Sequence, residues 1–180
     1  MKDSNLVIVG GSGRNVGKTE FACRLIGQIA AETEVYGLKV SAVYPDEAAF
    51  HGDHGPEVPG TVLFEESRRN TGKDTSRMLR AGAAGVFYLC SEEGDIGAAY
   101  LDFRRQIPPG AAVICESNSL ARYIRPALQI IITGAAGPVK KRVVPLLRLA
   151  DLVIVSDGTS GFAEIERIRF SSEGFLLQEL

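Results

Sequence analysis

The chain has 180 residues, enough for one domain with a substantial core and few for two. Hydrophobic residues at 45% and charged residues at 23% exclude a disordered or fibrous protein. A net charge of −2 excludes the basic excess that binds a nucleic-acid backbone or an anionic membrane, so neither is expected as a partner.

Residues 6–9, LVIV, are a continuous apolar run closed by Gly10 and Gly11. Such a run reads as a strand buried on both faces, here the central one. From Lys18 the spacing turns helical, and Phe21, Ala22, Leu25, Ile26 and Ile29 make one stripe that reaches about Ala31. A second strand is expected over 35–40. The stretch 45–60 is rich in Gly, Pro, Asp and Glu and reads as a long loop, in which His51, Asp53 and His54 are better suited to solvent than to a metal.

Further along, a short strand is expected over 61–64, a helix over 74–81 and a strand over 86–90. A helix over 96–105 and a buried strand over 112–115 follow. Strands over 128–133 and 152–156 flank a helix around 140–149. The tail, with Phe162, Ile165, Ile168 and Phe170, has no assigned element. The alternation calls for one α/β domain over 1–180, three layers deep, with a mostly parallel sheet covered by helices on both faces. In such sheets ligands bind at the carboxyl ends of strands, which gathers the residues after Val9, Val40 and Cys115 around one crevice.

No segment reaches the roughly 20 apolar residues of a membrane span, which points to a cytoplasmic protein. Cys23, Cys90 and Cys115 are widely spaced, with no C-x-x-C pair, and read as reduced, mostly buried apolar residues.

Residues 9–19 read VGGSGRNVGKT. A glycine-rich turn that opens a helix offers converging backbone N–H groups and a positive helix end to phosphate oxygens. Gly13 and Gly17 are expected to permit that backbone path. Lys18 would place a flexible charge at the β and γ phosphates, and the Thr19 hydroxyl would ligate Mg²⁺. The usual spacing puts glycine at Ser12; here it falls at Gly11, so the loop is one residue longer. The expected fold is that of a P-loop NTPase, with Gly11, Ser12, Gly13, Arg14, Asn15, Val16, Gly17, Lys18 and Thr19 around the nucleotide.

The longer loop, ending in Val-Gly-Lys-Thr, resembles that of dethiobiotin synthetase. Gly72-Lys73-Asp74-Thr75-Ser76-Arg77, followed by Ala81-Gly82-Ala83, is similar to a segment of the molybdopterin-guanine dinucleotide biosynthesis protein B (MobB) family. Lys39 late in the second strand and Glu116 after a buried strand match both families. The resemblance covers residues 7–117. It implies that Asp74 and Glu116 join Thr19 around Mg²⁺, that Arg77 faces phosphate, and that Lys18, Lys39 and Asp74 are the candidate catalytic groups. Asp74 and Arg77, three apart, would share one helix face. The alternative is that Asp74 caps the helix and Arg77 and Arg80 lie on its surface. The family's histidine-rich stretch after the second-strand lysine is replaced here by Val40-Ser41.

The MobB resemblance implies GTP with slow hydrolysis, a homodimer and a cofactor-assembling enzyme as partner. The dethiobiotin-synthetase resemblance allows ATP and a kinase or ligase reaction on a small molecule. A regulatory module that binds nucleotide without chemistry is the third possibility. Thr133 and Asp157, each just past a late strand, are candidate contacts to the base.

Overall fold

The computed structural model describes residues 1–43, 60–135, 143–158 and 161–179. In it the first apolar run is the middle of a longer strand, β1, Lys2–Gly11. Its polar first half is held as strand by pairing with β6, Arg125–Gly134, rather than by burial. Asp3 there is fixed by Arg104 at 2.8 and 2.9 Å and by the Tyr100 hydroxyl at 2.7 Å.

The remaining strands are β2 Val35–Val43, β3 Val62–Glu65, β4 Gly85–Glu92, β5 Ala112–Glu116 and β7 Leu152–Ser156. They form one seven-stranded sheet in the order β3-β4-β2-β5-β1-β6-β7. Every neighbouring pair runs parallel except β3 with β4, at one edge. The fold is therefore α/β around a mostly parallel sheet. The expected loop at 45–60, with His51, Asp53 and His54, lies outside the described residues but for Gly60.

The period-two geometry of strands sends alternate residues to opposite faces. Val7, Val9, Ile114, Ile130 and Ile132 pack under α1, Lys18–Ala30, and α2, Asp74–Arg80. Leu6, Ile8, Leu38, Leu89 and Val113 pack under α3, Ile96–Arg104, through Ile96, Tyr100 and Phe103. Helices thus lie on both faces, as the sequence led us to expect. The five apolar residues of the α1 stripe are all buried, each such side chain stabilising the fold by roughly 1.5–3 kcal/mol for the larger ones.

Of the helix expected around 140–149, one turn is described, α4, Val144–Leu147. Its Leu146 joins Val143 and Ile131 in a small third cluster. The unassigned tail becomes a hairpin of β8, Ile168–Ser171, and β9, Gly174–Leu177. Ile165, Ile168 and Phe175 enter the core on the α1 side. Among the described residues no helix is long and apolar enough to cross a membrane.

Candidate functional site

The loop between β1 and α1 is shaped by two close constraints. At Gly11 a Cβ would come within 2.8 Å of both Lys18 Cδ and Val16 Cγ2, so the lysine stem can cross the strand end only over glycine. At Gly17, which precedes the helix, φ is +97°, a left-handed value that favours glycine. The expectation for Gly13 is corrected: its φ is not left-handed and a Cβ there would meet only Val16, at 3.9 Å. Gly13 acts instead through its carbonyl, which accepts a hydrogen bond from Lys18 Nζ at 2.8 Å. Arg14 and Asn15 are exposed at the turn, and Asn15 has a φ of 58°. Ser12 ties the loop to β6: its N–H donates to Ile132 O at 2.9 Å, and its Oγ accepts from Gly134 N at 3.3 Å.

Beside the loop, four side chains from four elements meet. Lys39 of β2 and Glu116 of β5 are register partners, and Glu116 is also the register partner of Val9. Lys39 Nζ donates to Glu116 Oε1 at 3.1 Å and, in a shorter contact, to Asp74 Oδ2 at the start of α2. Thr19 Oγ1, in the first turn of α1, donates to Glu116 Oε2 at 2.6 Å. The Glu116 side chain is only 7% exposed, so its charge is viable because of these partners. Asp74 is the first helical residue and Lys73 stands at the cap position without a side-chain bond. The capping alternative for Asp74 therefore fails, and its carboxylate belongs to the cluster.

Burial pushes the Lys39 ammonium toward lower pKa, but Glu116 and Asp74 outweigh it and hold the group above its ordinary value. For Asp74 burial acts upward, and the hydrogen bond and charge of Lys39, helped by Thr19 and Arg77, hold the carboxyl below its ordinary value. The result is an ammonium set between the carboxyl groups of Asp74 and Glu116. Those two carboxylates and a hydroxyl are hard oxygen donors of the kind Mg²⁺ takes.

No protein-family model, curated protein or solved structure matches the chain. The site must be read from its own geometry. Thr19, Lys39, Asp74 and Glu116 come together, and Lys18 lies across the adjoining loop. Arg77 is turned toward α1, where its guanidinium donates to Glu20 Oε2 at 2.8 Å and stands 4.0 Å from Asp74 Oδ1. Arg80 is directed away, onto the carbonyls of Arg69 and Thr71. Thr133, within β6, donates to Ile154 O at 3.3 Å. Cys115 is fully buried and its thiol is pushed well up by that burial, while Cys23 is pushed up to about 11 for the same reason. Neither is a nucleophile at neutral pH.

Three contributors escape the sequence reading. Asn118, two residues past Glu116, clamps the strand end: its Oδ1 accepts from Gly11 N at 2.7 Å and its Nδ2 donates to Gly11 O at 3.0 Å. Phe162 packs edge-on against Phe21, with centroids 5.2 Å apart, and closes the space beside Gly17. Glu20 holds Arg77. Only Asn118 carries a usable signal, a carboxamide just past a buried strand. Its replacement by alanine is expected to leave both Gly11 groups without their partner and to lower stability by about 1–3 kcal/mol. Urea unfolding of the variant checks this, and an unchanged midpoint would count against the clamp.

Proposed function

We propose that the chain binds a nucleoside triphosphate with Mg²⁺ at this loop, GTP ahead of ATP, and hydrolyses it slowly. The observation that carries the reading is the meeting of Thr19, Lys39, Asp74 and Glu116 beside a glycine loop that opens α1. The helix start favours an anion through its dipole and backbone N–H groups. Lys18 would exchange the Gly13 carbonyl for phosphate oxygens, a stronger acceptor for a charged donor. Thr19, Asp74 and Glu116 would hold the metal. Bound there, Mg²⁺ neutralises charge on the phosphate oxygens.

Slow turnover follows from the same contacts. Both carboxylates are tied to Lys39, so neither is disposed to take a proton from water. The accessory role beside an enzyme that assembles molybdopterin guanine dinucleotide is part of this proposal and rests on the motif at 72–77.

One observation favours the reading of a small-molecule kinase or ligase. A cavity of about 310 Å³ adjoins the cluster, lined by Lys39, Phe64, Lys73, Asp74, Thr75 and Tyr88, with room for an acceptor. A thermal-shift panel of GTP, ATP and their diphosphates, with and without Mg²⁺, tests the main reading. Mg²⁺-dependent stabilisation by a triphosphate is expected, since a ligand of the folded state raises Tm by mass action. No shift with any of the four would overturn it. Phosphate release in the absence of any acceptor separates the hydrolase from the kinase.

A further inference from the structure

A second cavity, of about 410 Å³, lies at the opposite end of the sheet from the loop. It is reached from the first residue of β1, whereas the loop follows the last; ten residues of strand span roughly 30 Å. Leu146 and Leu149 supply apolar wall, and Lys2, Arg125, Gln129 and Asp151 supply the polar lining.

Two features of this lining bear on what it could take. Lys2 and Arg125, both exposed, are register partners on β1 and β6, so two cations stand side by side at one end of it. Neither has an ion-pair or side-chain hydrogen-bond partner among the described residues. Asp151, the acid named in the lining, is engaged with backbone: its Oδ2 accepts from Gln129 N at 2.7 Å. Gln129, on the same face of β6 as Arg125, is only 3% exposed, and neither its amide Nε2 nor its Oε1 has a partner among the described residues. Buried polar atoms are nearly always paired in folded proteins.

One ligand chemistry answers both features. We propose that the cavity binds a small organic anion, its phosphate or carboxylate set against Lys2 and Arg125 and its planar lactam edge hydrogen-bonded to the Gln129 amide. A primary amide offers one donor side and one acceptor side in a plane, which matches the acceptor and donor of a lactam. The amide end is closed off from solvent, so binding includes a turn of this side chain into the cavity. A nucleoside monophosphate with a lactam base and a lactam carboxylate share this chemistry. The site is separate from the triphosphate loop and does not rest on that reading.

The test uses the Lys18→Ala protein, so that binding at the loop does not contribute. GMP, pyroglutamate and inorganic phosphate are titrated by calorimetry and thermal shift. GMP or pyroglutamate is expected to bind saturably, and phosphate, which has no lactam edge, about tenfold or more weaker. A response to GMP alone assigns a nucleotide, and one to pyroglutamate alone assigns a lactam carboxylate. Gln129→Leu is expected to weaken the organic ligand about tenfold while leaving the ligand-free Tm unchanged or raised, because an unpaired buried amide is removed. Arg125→Gln, at an exposed position, is expected to weaken it as well and keeps the test sound if the first variant folds poorly. Absence of binding by both organic probes, affinity equal to that of phosphate, or affinity unchanged in both variants would overturn the proposal.

Discussion

Replacing Lys18 by alanine is expected to weaken Mg²⁺-triphosphate binding by a hundredfold or more while leaving the fold intact. A hydrogen bond to a charged group contributes roughly 1.5–3 kcal/mol, and Lys18 would make such bonds to two phosphates, so about 3 kcal/mol or more is lost. The expected cost to stability is small by comparison. The Lys18 ammonium donates to a carbonyl of its own loop, Gly13, and most substitutions away from cores and networks stay within about 0.5 kcal/mol. Calorimetry with Mg-GTP and Mg-ATP, beside urea unfolding of the same samples, separates the two effects. Affinity within fivefold of the parent protein would remove the loop from the site. Lys18→Arg sharpens the result: it keeps the charge but replaces a compact ammonium by a planar fork over Gly11, where Lys18 Cδ already passes within 2.8 Å of the position a Cβ would take. It is expected to restore little of the affinity.

The order of elements was legible because each central strand is an apolar run and each helix a stripe, and those periods are direct consequences of backbone geometry. What escaped lay where burial is not the cause of structure. The first half of β1 is polar and is strand only because β6 offers it a ladder. The direction of β3 is not encoded in an alternation of apolar residues, which reads the same forwards and backwards. The tail hairpin became structure by docking Ile168 and Phe175 on the α1 side, a tertiary gain with little local signal.

The site was legible to the extent that its chemistry depends on residue type and position at strand ends. Lys39 and Glu116 are far apart in the chain, and strand order brings them together: β5 lies between β1 and β2, so a residue at its carboxyl end faces both the loop and the second-strand lysine, while Asp74 arrives from the start of α2. For Arg77 the resemblance implied a side chain facing phosphate, whereas the structure pairs its guanidinium with a carboxylate of α1. Its partner, Glu20, sits on another helix, and helix-to-helix approach is not written in the spacing of either one. The clamp by Asn118 left a weaker trace, a carboxamide just past a buried strand, whose backbone partner at Gly11 lies 107 residues away in the chain.

The most informative substitution is Lys39→Met, because two roles for this lysine predict opposite signs. In the structure its ammonium bridges the carboxylates of Asp74 and Glu116, the position in charge that a divalent cation would take. If Lys39 is the cation that holds these carboxylates before metal arrives, its removal leaves two negative groups under-compensated. Mg²⁺ or Mn²⁺ binding without nucleotide is then expected to tighten about tenfold or more, while the metal-free protein loses roughly 1–3 kcal/mol, discounted because Lys39 and Asp74 are partly exposed. Saturating metal should return most of that stability by mass action. The pH dependence follows with its sign. The Lys39 pKa is raised on folding, so its contribution is complete below the ordinary lysine value, about 10.4, and is lost as pH rises through the higher folded value. The Asp74 pKa is lowered, so its contribution is complete above the ordinary carboxyl value, about 3.9, and is lost as pH falls through the lower folded value. Between these limits the cluster keeps its charges, and metal affinity of the parent protein should be flat from about pH 6 to pH 8 as far as these two groups determine it. Weaker metal binding in Lys39→Met would show instead that the ammonium orders the two carboxylates for the metal rather than competing with it.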